Sequence, residues 1–298
     1  MTDCAVVVSY NRKGLLEACL SALCAQQPLL DEIIVVDNAS TDGSVEMIRS
    51  KFPNVKLRVL ETNRGGSGGF QVAVQTAIQR NHSFAWLMDD DARPLPDAHG
   101  ALLRARAELA KEPSFLASLV VDESEDPIET HVPVSLERLA EANGRLLQID
   151  RGSFVGFYVN LEMAAGTWLP LGDFFIYHDD LEYSSRLAIM APAYLVSGSL
   201  VQHPDKRGEG LGDRIYYDIR NRIWIARSRD LASEDVRRSV ARPILRRSIG
   251  QSRFTTNKIH YFRLIVRAWC DGVLNSPGRT RAESIPTPGF GETPGAGR

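Results

Sequence analysis

Short β-branched runs alternate with helical patterns in the N-terminal third of the chain. Apolar runs predict strands at residues 5–10, 32–38 and 85–88, and a further strand is predicted at residues 55–61. Helical spacing or a preceding turn predicts three intervening helices, at residues 13–26, 44–51 and 69–80. Strands that alternate with helices at this spacing indicate βαβ units, so we predict an α/β fold built on a parallel sheet.

The pattern is less regular further along the chain. A helix is predicted from about 94 to 112, followed by an irregular stretch through Pro133 and a strand at Phe154–Asn160. Residues 213–274 are helical in pattern and rich in arginine, and residues 275–298 turn to Pro, Gly, Ser and Thr. We therefore predict a C-terminal helical section and then a disordered tail with no packing role.

All four N-terminal strands are predicted to end in polar residues. These residues are Tyr10–Asn11, Asp37–Asn38, Asn63–Arg64 and Asp89–Asp91. In open parallel sheets, ligands bind in the crevice beyond the carboxyl ends of the strands. We therefore expect the four polar segments to line one binding crevice.

The apolar run Trp86–Met88 leads directly into three carboxylates, Asp89–Asp91. Three adjacent acids repel one another, and a divalent cation such as Mg²⁺ or Mn²⁺, which takes oxygen ligands, removes that repulsion. A solvated acidic turn is the alternative, since charge runs are commonly solvated. The position of the triplet on the same edge as three other polar segments favours the ligand crevice.

Three further segments carry candidate chemistry. Residues 63–70 are rich in glycine and lead into a helix, where free N–H groups favour an anion, although a flexible turn explains them equally. Residues 174–186 place two aromatics before three acids. Helix capping explains one or two of these acids, and a pocket wall with a carboxylate at its base fits the whole set. His203 is either a metal ligand or a structural histidine.

Composition indicates a globular protein, and the distribution of charge indicates what kind of partner it meets. A chain of 298 residues, 44% hydrophobic and 24% charged, is typical of a globular protein with one large α/β domain or two small ones. The net charge of -2 conceals an asymmetry, because residues 201–281 carry a balance of +10 and the remainder a balance of -12. The basic part is expected to face an anionic partner. No nucleic-acid recognition motif accompanies it, so nucleic acid is not expected as that partner.

Cysteine usage and hydropathy indicate the compartment. The four cysteines lack metal-ligand spacing and are interpreted as reduced thiols of a cytosolic protein. We expect no signal peptide, and no run of apolar residues is long enough to predict a membrane span.

The motifs of the N-terminal half resemble a known family. Val6–Arg12, the turn at Val35–Gly43 and the acidic triplet closely resemble the family 2 glycosyltransferases of GT-A fold, over roughly residues 3–225. The resemblance implies a Rossmann-like, mostly parallel sheet flanked by helices over residues 1–212, which holds the nucleotide-sugar and acceptor halves. The basic helical section 213–274 and the tail 275–298 follow.

Within this family, the glycine-rich segment and Trp86–Asp91 resemble the actinobacterial galactofuranosyltransferases that build cell-wall galactan. His178–Tyr183 and His203–Pro204 fit the same group, and the chain length is similar to that of its short, initiating type. Bacterial rhamnosyltransferases share most of these motifs, so the donor sugar has two candidates.

The resemblance also implies roles for single residues. Asp89, Asp91 and His203 correspond to ligands of Mn²⁺ or Mg²⁺, and Asp180 corresponds to the catalytic base. The donor nucleotide is expected to contact Ser9, Tyr10, Asn11, Arg12, Asp37, Asn38, Asn63, Gly65, Gly66 and, near the ribose, Asp90. His178 departs from the pattern, because the related long enzymes carry Trp at that position.

The implied function is an inverting, metal-dependent transfer of galactofuranose from UDP-galactofuranose to a polyprenyl-diphosphate-linked glycan. The alternatives are the same transfer from dTDP-rhamnose and, in another class, a non-catalytic protein that binds sugar nucleotides. Residues 206–212 are basic and glycine-rich, as expected for a loop that closes over the diphosphate.

The arginines between 220 and 247 and the apolar residues of 258–274 have two interpretations. In the first, they face anionic lipid or a polyprenyl-diphosphate acceptor, which would make the protein cytoplasmic and peripheral on the inner face of the cell membrane. In the second, these helices pack on the catalytic domain with their arginines outward.

Overall fold

The computed structural model describes residues 2–204, 211–250 and 257–282. One sheet contains β1 (Asp3–Ser9), β2 (Glu32–Asp37), β3 (Lys56–Val59), β4 (Phe84–Asp89), β5 (Arg93–Pro94), β6 (Phe115–Val121), β7 (Leu147–Ile149), β8 (Phe157–Asn160) and β9 (Ala193–Gln202). The helices are α1 (Lys13–Cys24), α2 (Ser44–Lys51), α3 (Gly65–Gln79), α4 (Ala98–Ala107), α5 (Leu136–Ala142), α6 (Leu161–Ala165), α7 (Asp179–Met190), α8 (Ile215–Arg227), α9 (Glu234–Ala241), α10 (Ile244–Gly250) and α11 (Lys258–Leu274).

The strand order is β3-β2-β1-β4-β8-β6-β9-β5, and β7 pairs with β9. The first four strands are parallel, as predicted, because each is followed by a helix that crosses back over the sheet. β8 runs antiparallel to both β4 and β6, and β9 is parallel to β6. The acidic triplet therefore follows a central strand.

The sheet is buried on both faces. Along β1, Val6 and Val8 pack with α3 on one face, whereas Ala5 and Val7 pack with α1 and α2 on the other. Both sets are almost fully buried. This two-sided burial is the reason that the strand sequence is continuously apolar and does not alternate with polar residues.

Several predicted boundaries were wrong. The helix predicted from residue 69 begins at Gly65, so the glycine-rich segment forms its first turn. The stretch predicted to be irregular contains β6, and the helix predicted at 94–112 is limited to Ala98–Ala107. A short apolar run such as β6 is ambiguous from sequence, because neither its length nor its periodicity distinguishes a buried strand from other apolar segments.

The C-terminal section is helical, as predicted, and has its own apolar contacts. α8 packs against α11 and α10 through a cluster that includes Ile219, Ile223, Ile244 and Ile265. No helix in the described ranges combines the length and apolarity needed to cross a membrane.

Two arginines predicted to face an anionic partner have internal roles. Arg220 is 8% exposed and donates to the carbonyl oxygens of Asp173 and Phe174. Arg227 donates to the carbonyl oxygen of Gly272 near the end of α11, at 2.8 Å. For these two side chains, packing on the protein is the interpretation that holds.

Residues 278–282 are packed, contrary to the expectation of a tail without contacts. Ala282 is 8% exposed and belongs to the main core, and the carbonyl of Thr280 accepts from the N–H of Leu169. Arg279 forms a 2.8 Å ion pair with Asp230. These contacts hold the chain that follows α11 against the main core and against the segment between α8 and α9. Residues 283–298 lie outside the described ranges.

Candidate active site

Two carboxylates and an imidazole meet at the carboxyl end of β4. Asp89 ends β4, Asp91 follows in the next turn, and His203 comes directly after β9. One ligand atom from each lies within 4.8 Å of the other two. The His203 N–H donates to the carbonyl of Val121 in β6, which fixes the backbone of the histidine beside β4.

The hydrogen bonds of His203 set its tautomer for metal binding. Its Nδ1 lies 2.9 Å from the carbonyl oxygen of Pro204, which requires a proton on Nδ1. In the neutral ring, Nε2 then carries a lone pair, and it lies 3.1 Å from Oδ1 of Asp91. Two lone pairs at this distance repel each other unless a cation or a proton lies between them. An N–H held by a backbone carbonyl is the usual arrangement of a metal-bound histidine.

The charge of the triplet is only partly compensated. Arg12 Nη1 lies 3.1 Å from Asp90 Oδ1 and 2.7 Å from Asp91 Oδ2. Burial, together with the neighbouring carboxylates, raises the pKa of Asp89 to about 7. A divalent cation bound beside Asp89 would favour its ionised form and offset the repulsion from the neighbouring carboxylates. The donor set of two carboxylates and one imidazole therefore fits a metal such as Mn²⁺.

Asp90 is bound to the rim of the sheet. It is 4% exposed, and its two carboxylate oxygens accept from Arg12 and from the N–H of Tyr10. Its predicted contact with the ribose stays a prediction.

The first turn of α3 is held by amide side chains from the rim. Asn38 donates through Nδ2 to the carbonyl of Gly65 at 3.0 Å and accepts from the N–H of Arg64 at 3.2 Å. Asn63 accepts from the N–H of Gly65 at 2.8 Å. Asn38 and Asn63 therefore shape the edge of the crevice, whether or not they also contact a nucleotide.

The loops after β1 and β2 hold each other in place. Asn11 has a left-handed φ of 52° and accepts from the N–H of Thr41 at 2.7 Å. Ser9 and Asp37 are buried at the ends of their strands. The structure thus brings together the predicted nucleotide residues of β1 and β2 at one rim, and their contact with a nucleotide stays a prediction.

The glycines at the start of α3 differ in their surroundings. Gly65 has φ +71°, and a Cβ added there would lie 2.1 Å from the carbonyl oxygen of Phe175. The group that closely approaches the backbone of Gly65 is therefore the carbonyl of Phe175 and not a ligand. A Cβ at Gly66 would meet nothing within 4 Å, and Gly66 lines the cleft. Only Gly66 keeps the open space that the predicted approach of an anion requires.

The second acidic cluster divides into three different environments. Asp180 lines the cleft, accepts from the N–H of Leu181 at 2.7 Å and has a pKa raised by burial. Asp179 is buried, and burial together with the charge of Asp180 raises its pKa well above the usual range. Glu182 is fully buried and forms a 2.7 Å ion pair with Arg186. Of the three acids, Glu182 is therefore structural and is not part of a pocket wall.

These side chains open onto a single cleft of about 940 Å³. Its lining includes Asp89, Asp91, His131, His178, Asp180 and His203. The metal candidates and the candidate base thus face the same space, as the sequence-based assignment requires. The predicted closing loop falls mainly on residues 205–210, which lie outside the described ranges.

One histidine and two arginines are among the lining residues that were not assigned to the site from the sequence. His131 lies beside His203 with ring centroids 5.0 Å apart, and Arg222 and Arg247 reach the cleft from α8 and α10. The arginines were recognised only as part of a basic region. His131 lies in a stretch that carried no motif, so no local signal identified it.

Residues 4–139 match the family model "Glycosyl transferase family 2". The galactofuranosyltransferase GlfT1 of Mycolicibacterium smegmatis is 37% identical over 92 residues, which are 30% of each chain. GlfT1 of Mycobacterium tuberculosis is 29% identical over 194 residues, 61% of this chain and 63% of that protein. The matches therefore span less than two thirds of these curated relatives.

Solved structures of low sequence identity share the fold. Staphylococcus aureus TarS 1–349 in complex with UDP has a TM-score of 0.60 at 15% identity and covers 92% of this chain and 80% of its own. The mannosyltransferase PcManGT from Pyrobaculum calidifontis, in complex with GDP-Man and Mn²⁺, has a TM-score of 0.58 at 17% identity, with 91% and 75% coverage. These likenesses confirm the predicted α/β fold of GT-A type.

Proposed function

We propose that this chain, which carries a family 2 glycosyl transferase domain in a GT-A fold, transfers galactofuranose from UDP-galactofuranose to a polyprenyl-diphosphate-linked glycan in cell-wall galactan synthesis. The observation that carries the proposal is the convergence of Asp89, Asp91, His203 and Asp180 on one cleft. The similarity to galactofuranosyltransferases supports the choice of sugar.

A divalent metal, Mn²⁺ or Mg²⁺, fits the cluster of Asp89, Asp91 and His203. These three residues would hold it, because Nε2 of His203 and the carboxylate oxygens already face one another. When bound, such an ion neutralises negative charge on the leaving diphosphate as a Lewis acid. Arg12, which spans Asp90 and Asp91, keeps the two carboxylates in position for this role.

Asp180 is the candidate base that removes the proton from the acceptor hydroxyl. Its raised pKa brings it nearer to working pH, where a carboxylate accepts a proton more effectively. A positioned base of this kind contributes ~10²–10⁴ in rate. Direct attack of the deprotonated hydroxyl on the anomeric carbon, as the nucleotide leaves from the opposite face, inverts the configuration.

The substrate assignment is tested by nucleotide release. The purified chain is incubated with Mn²⁺, a lipid-linked acceptor and either UDP-galactofuranose or dTDP-rhamnose, and free UDP or dTDP is measured. Release that depends on the acceptor and occurs only with UDP-galactofuranose supports the proposal. Release with dTDP-rhamnose alone would make rhamnose, not galactofuranose, the transferred sugar. No release with either donor would favour the alternative of a non-catalytic protein that binds sugar nucleotides.

Two substitutions separate catalysis from donor binding. Asp180→Asn is expected to abolish transfer and to leave the affinity for UDP unchanged, because Asp180 lies outside the metal cluster. Asp91→Ala is expected to weaken metal-dependent binding of UDP. Turnover near that of the wild type in Asp180→Asn would remove Asp180 as the base.

The exposed face of α11 supports a peripheral association with an anionic membrane. Ile259, Phe262 and Val266 are 70%, 67% and 45% exposed and recur at helical spacing. Arg263 and Arg267 lie beside them on the exposed surface. An apolar stripe next to basic side chains is the composition of an interfacial helix, and a lipid-linked acceptor would be reached from such a surface.

A further inference from the structure

The segment that leads into the candidate base has an unusual backbone. Phe175, Tyr177 and His178 have φ values of 63°, 70° and 66°, and none of them is glycine. Left-handed conformations are uncommon for residues that carry a Cβ and persist only where the surrounding structure enforces them. The helix that carries Asp180 begins directly afterwards, at Asp179, so the path of this segment determines where the Asp180 carboxylate lies.

A single amide on α8 holds most of this segment. Nδ2 of Asn221 lies 3.0 Å from the carbonyl oxygen of Phe174, 3.0 Å from that of Ile176 and 2.8 Å from that of Tyr177. Asn221 is fully buried, so its side chain has no exposure to solvent. Arg220, the preceding residue, donates to the carbonyl of Phe174 as well.

A carboxylate one turn earlier on α8 holds the last side chain of the segment. Oδ1 of Asp218 lies 2.8 Å from Nε2 of His178, and Arg222 donates to the same oxygen from 3.0 Å. Arg247 of α10 lies 3.6 Å from the other oxygen of Asp218. Asp218 is 3% exposed, and its partners line the cleft that contains Asp180.

We propose that Asn221 and Asp218 are positioning residues for the transfer, which hold the left-handed segment 175–178 so that Asp180 faces the acceptor. The inference rests on the proposed function in that it takes Asp180 as the base. Through these two residues α8 affects the reaction by positioning Asp180, although neither residue touches the reacting atoms.

The test uses Asn221→Ala and Asp218→Asn in the full chain. Asp213→Asn is the matched control, because Asp213 makes the same kind of contact, with His260 at 2.9 Å, on the exposed surface before α8. For each variant, the number of UDP-binding sites with Mn²⁺ is measured by calorimetry, and kcat and the donor KM are measured by nucleotide release. The turnover is then expressed per UDP-binding site, which corrects for unfolded protein.

We expect UDP affinity and donor KM to stay at wild-type values in both variants, because the metal cluster lies on β4, the turn after it and the end of β9. We expect kcat per UDP-binding site to fall by about 10²-fold, the effect of a misplaced group at a reacting centre. Asp213→Asn is expected to match the wild type. If Asn221→Ala does not fold, Asp218→Asn decides the question, since its amide keeps the size of the carboxylate.

Two outcomes overturn the inference. One is a kcat per site close to wild type in the folded variants, and the other is a loss of UDP affinity as large as the loss of kcat, which would give α8 a general structural role. Absence of any transfer by the wild-type chain is a different result, because it contradicts the proposed function itself.

Discussion

Replacement of Gly65 by alanine tests how the two halves of the cleft are joined. A Cβ at this position would lie 2.1 Å from the carbonyl oxygen and 2.7 Å from the carbonyl carbon of Phe175. Both atoms belong to the backbone, so no side-chain rotation relieves the clash. The same carbonyl accepts from the N–H of Ser67 at 3.2 Å, and this bond must lengthen if the segment moves.

The expected cost of Gly65→Ala has two parts. Gly65 has φ +71°, a conformation that costs an L-residue with a Cβ about 1–2 kcal/mol. Overpacking against a rigid neighbour adds about 1–3 kcal/mol. The free energy of unfolding should therefore fall by about 2–5 kcal/mol, a large part of the stability of an ordinary domain.

Gly66→Ala is the control, because it makes the same change one residue later. A Cβ there meets nothing within 4 Å, and alanine in a helix is favoured over glycine by up to about 1 kcal/mol. Urea denaturation followed by circular dichroism gives both unfolding free energies. We expect Gly66→Ala to match or exceed the wild type and Gly65→Ala to be clearly less stable.

Turnover provides a second measurement of the same change. If Phe175 moves away from the new methyl group, the segment that leads to Asp180 moves with it, and kcat falls in the Gly65→Ala protein that remains folded. Equal stability of the two alanine variants, within about 0.5 kcal/mol, would refute the reasoning, because surface changes without steric conflict have effects of that size.

Other predictions concern charge and the membrane. Burial by itself raises the pKa of Asp218. Contacts with histidine and arginine outweigh this effect and hold that pKa at about 2, below its ordinary 3.8. The ionised carboxylate of Asp218 therefore stabilises the folded protein by about 2–3 kcal/mol above pH 4, and this stabilisation is lost as the pH falls towards 2. The unfolding free energies of the wild type and Asp218→Asn should converge at that low pH. Glu182→Gln removes the opposite charge beside the buried Arg186 and should cost about 3–5 kcal/mol in chemical denaturation, whereas Glu234→Gln on the surface should cost less than about 1 kcal/mol. Equal costs would contradict the assignment. Phe262→Ser should reduce co-sedimentation with anionic vesicles, and undiminished binding would exclude the α11 face.

The N-terminal half of the fold was predictable because its signals are local. β1, β2 and β4 contain continuous apolar runs, and polar segments follow these runs directly, so most of the rim could be inferred without knowing the strand order. β6 was missed because a short apolar run beside an irregular stretch has no distinctive period. The packing of Ala282 was missed for a related reason, since a segment rich in glycine and proline shows no periodicity of its own.

The candidate site was predictable to the extent that its residues occur in motifs. Asp89, Asp91 and His203 were assigned as metal ligands from the family resemblance of their motifs, and the structure places their ligand atoms within 4.8 Å of one another. The same reasoning grouped Glu182 with the acids of the pocket, where the structure pairs it with Arg186 in the interior. A motif shows which residue types occur together but not which side of a helix faces the cleft.

The sequence alone determined the chemistry available to this protein: acids after a buried strand, a histidine before a proline and a run of glycines before a helix. Only the tertiary structure decided how these groups are held. Asn221 is 44 residues from Tyr177 along the chain, yet its amide hydrogen bonds to the carbonyl of that residue. Gly65 is required by the backbone of Phe175 rather than by a ligand. Contacts between residues so far apart leave no periodic or local signal, because their geometry exists only after the chain has folded.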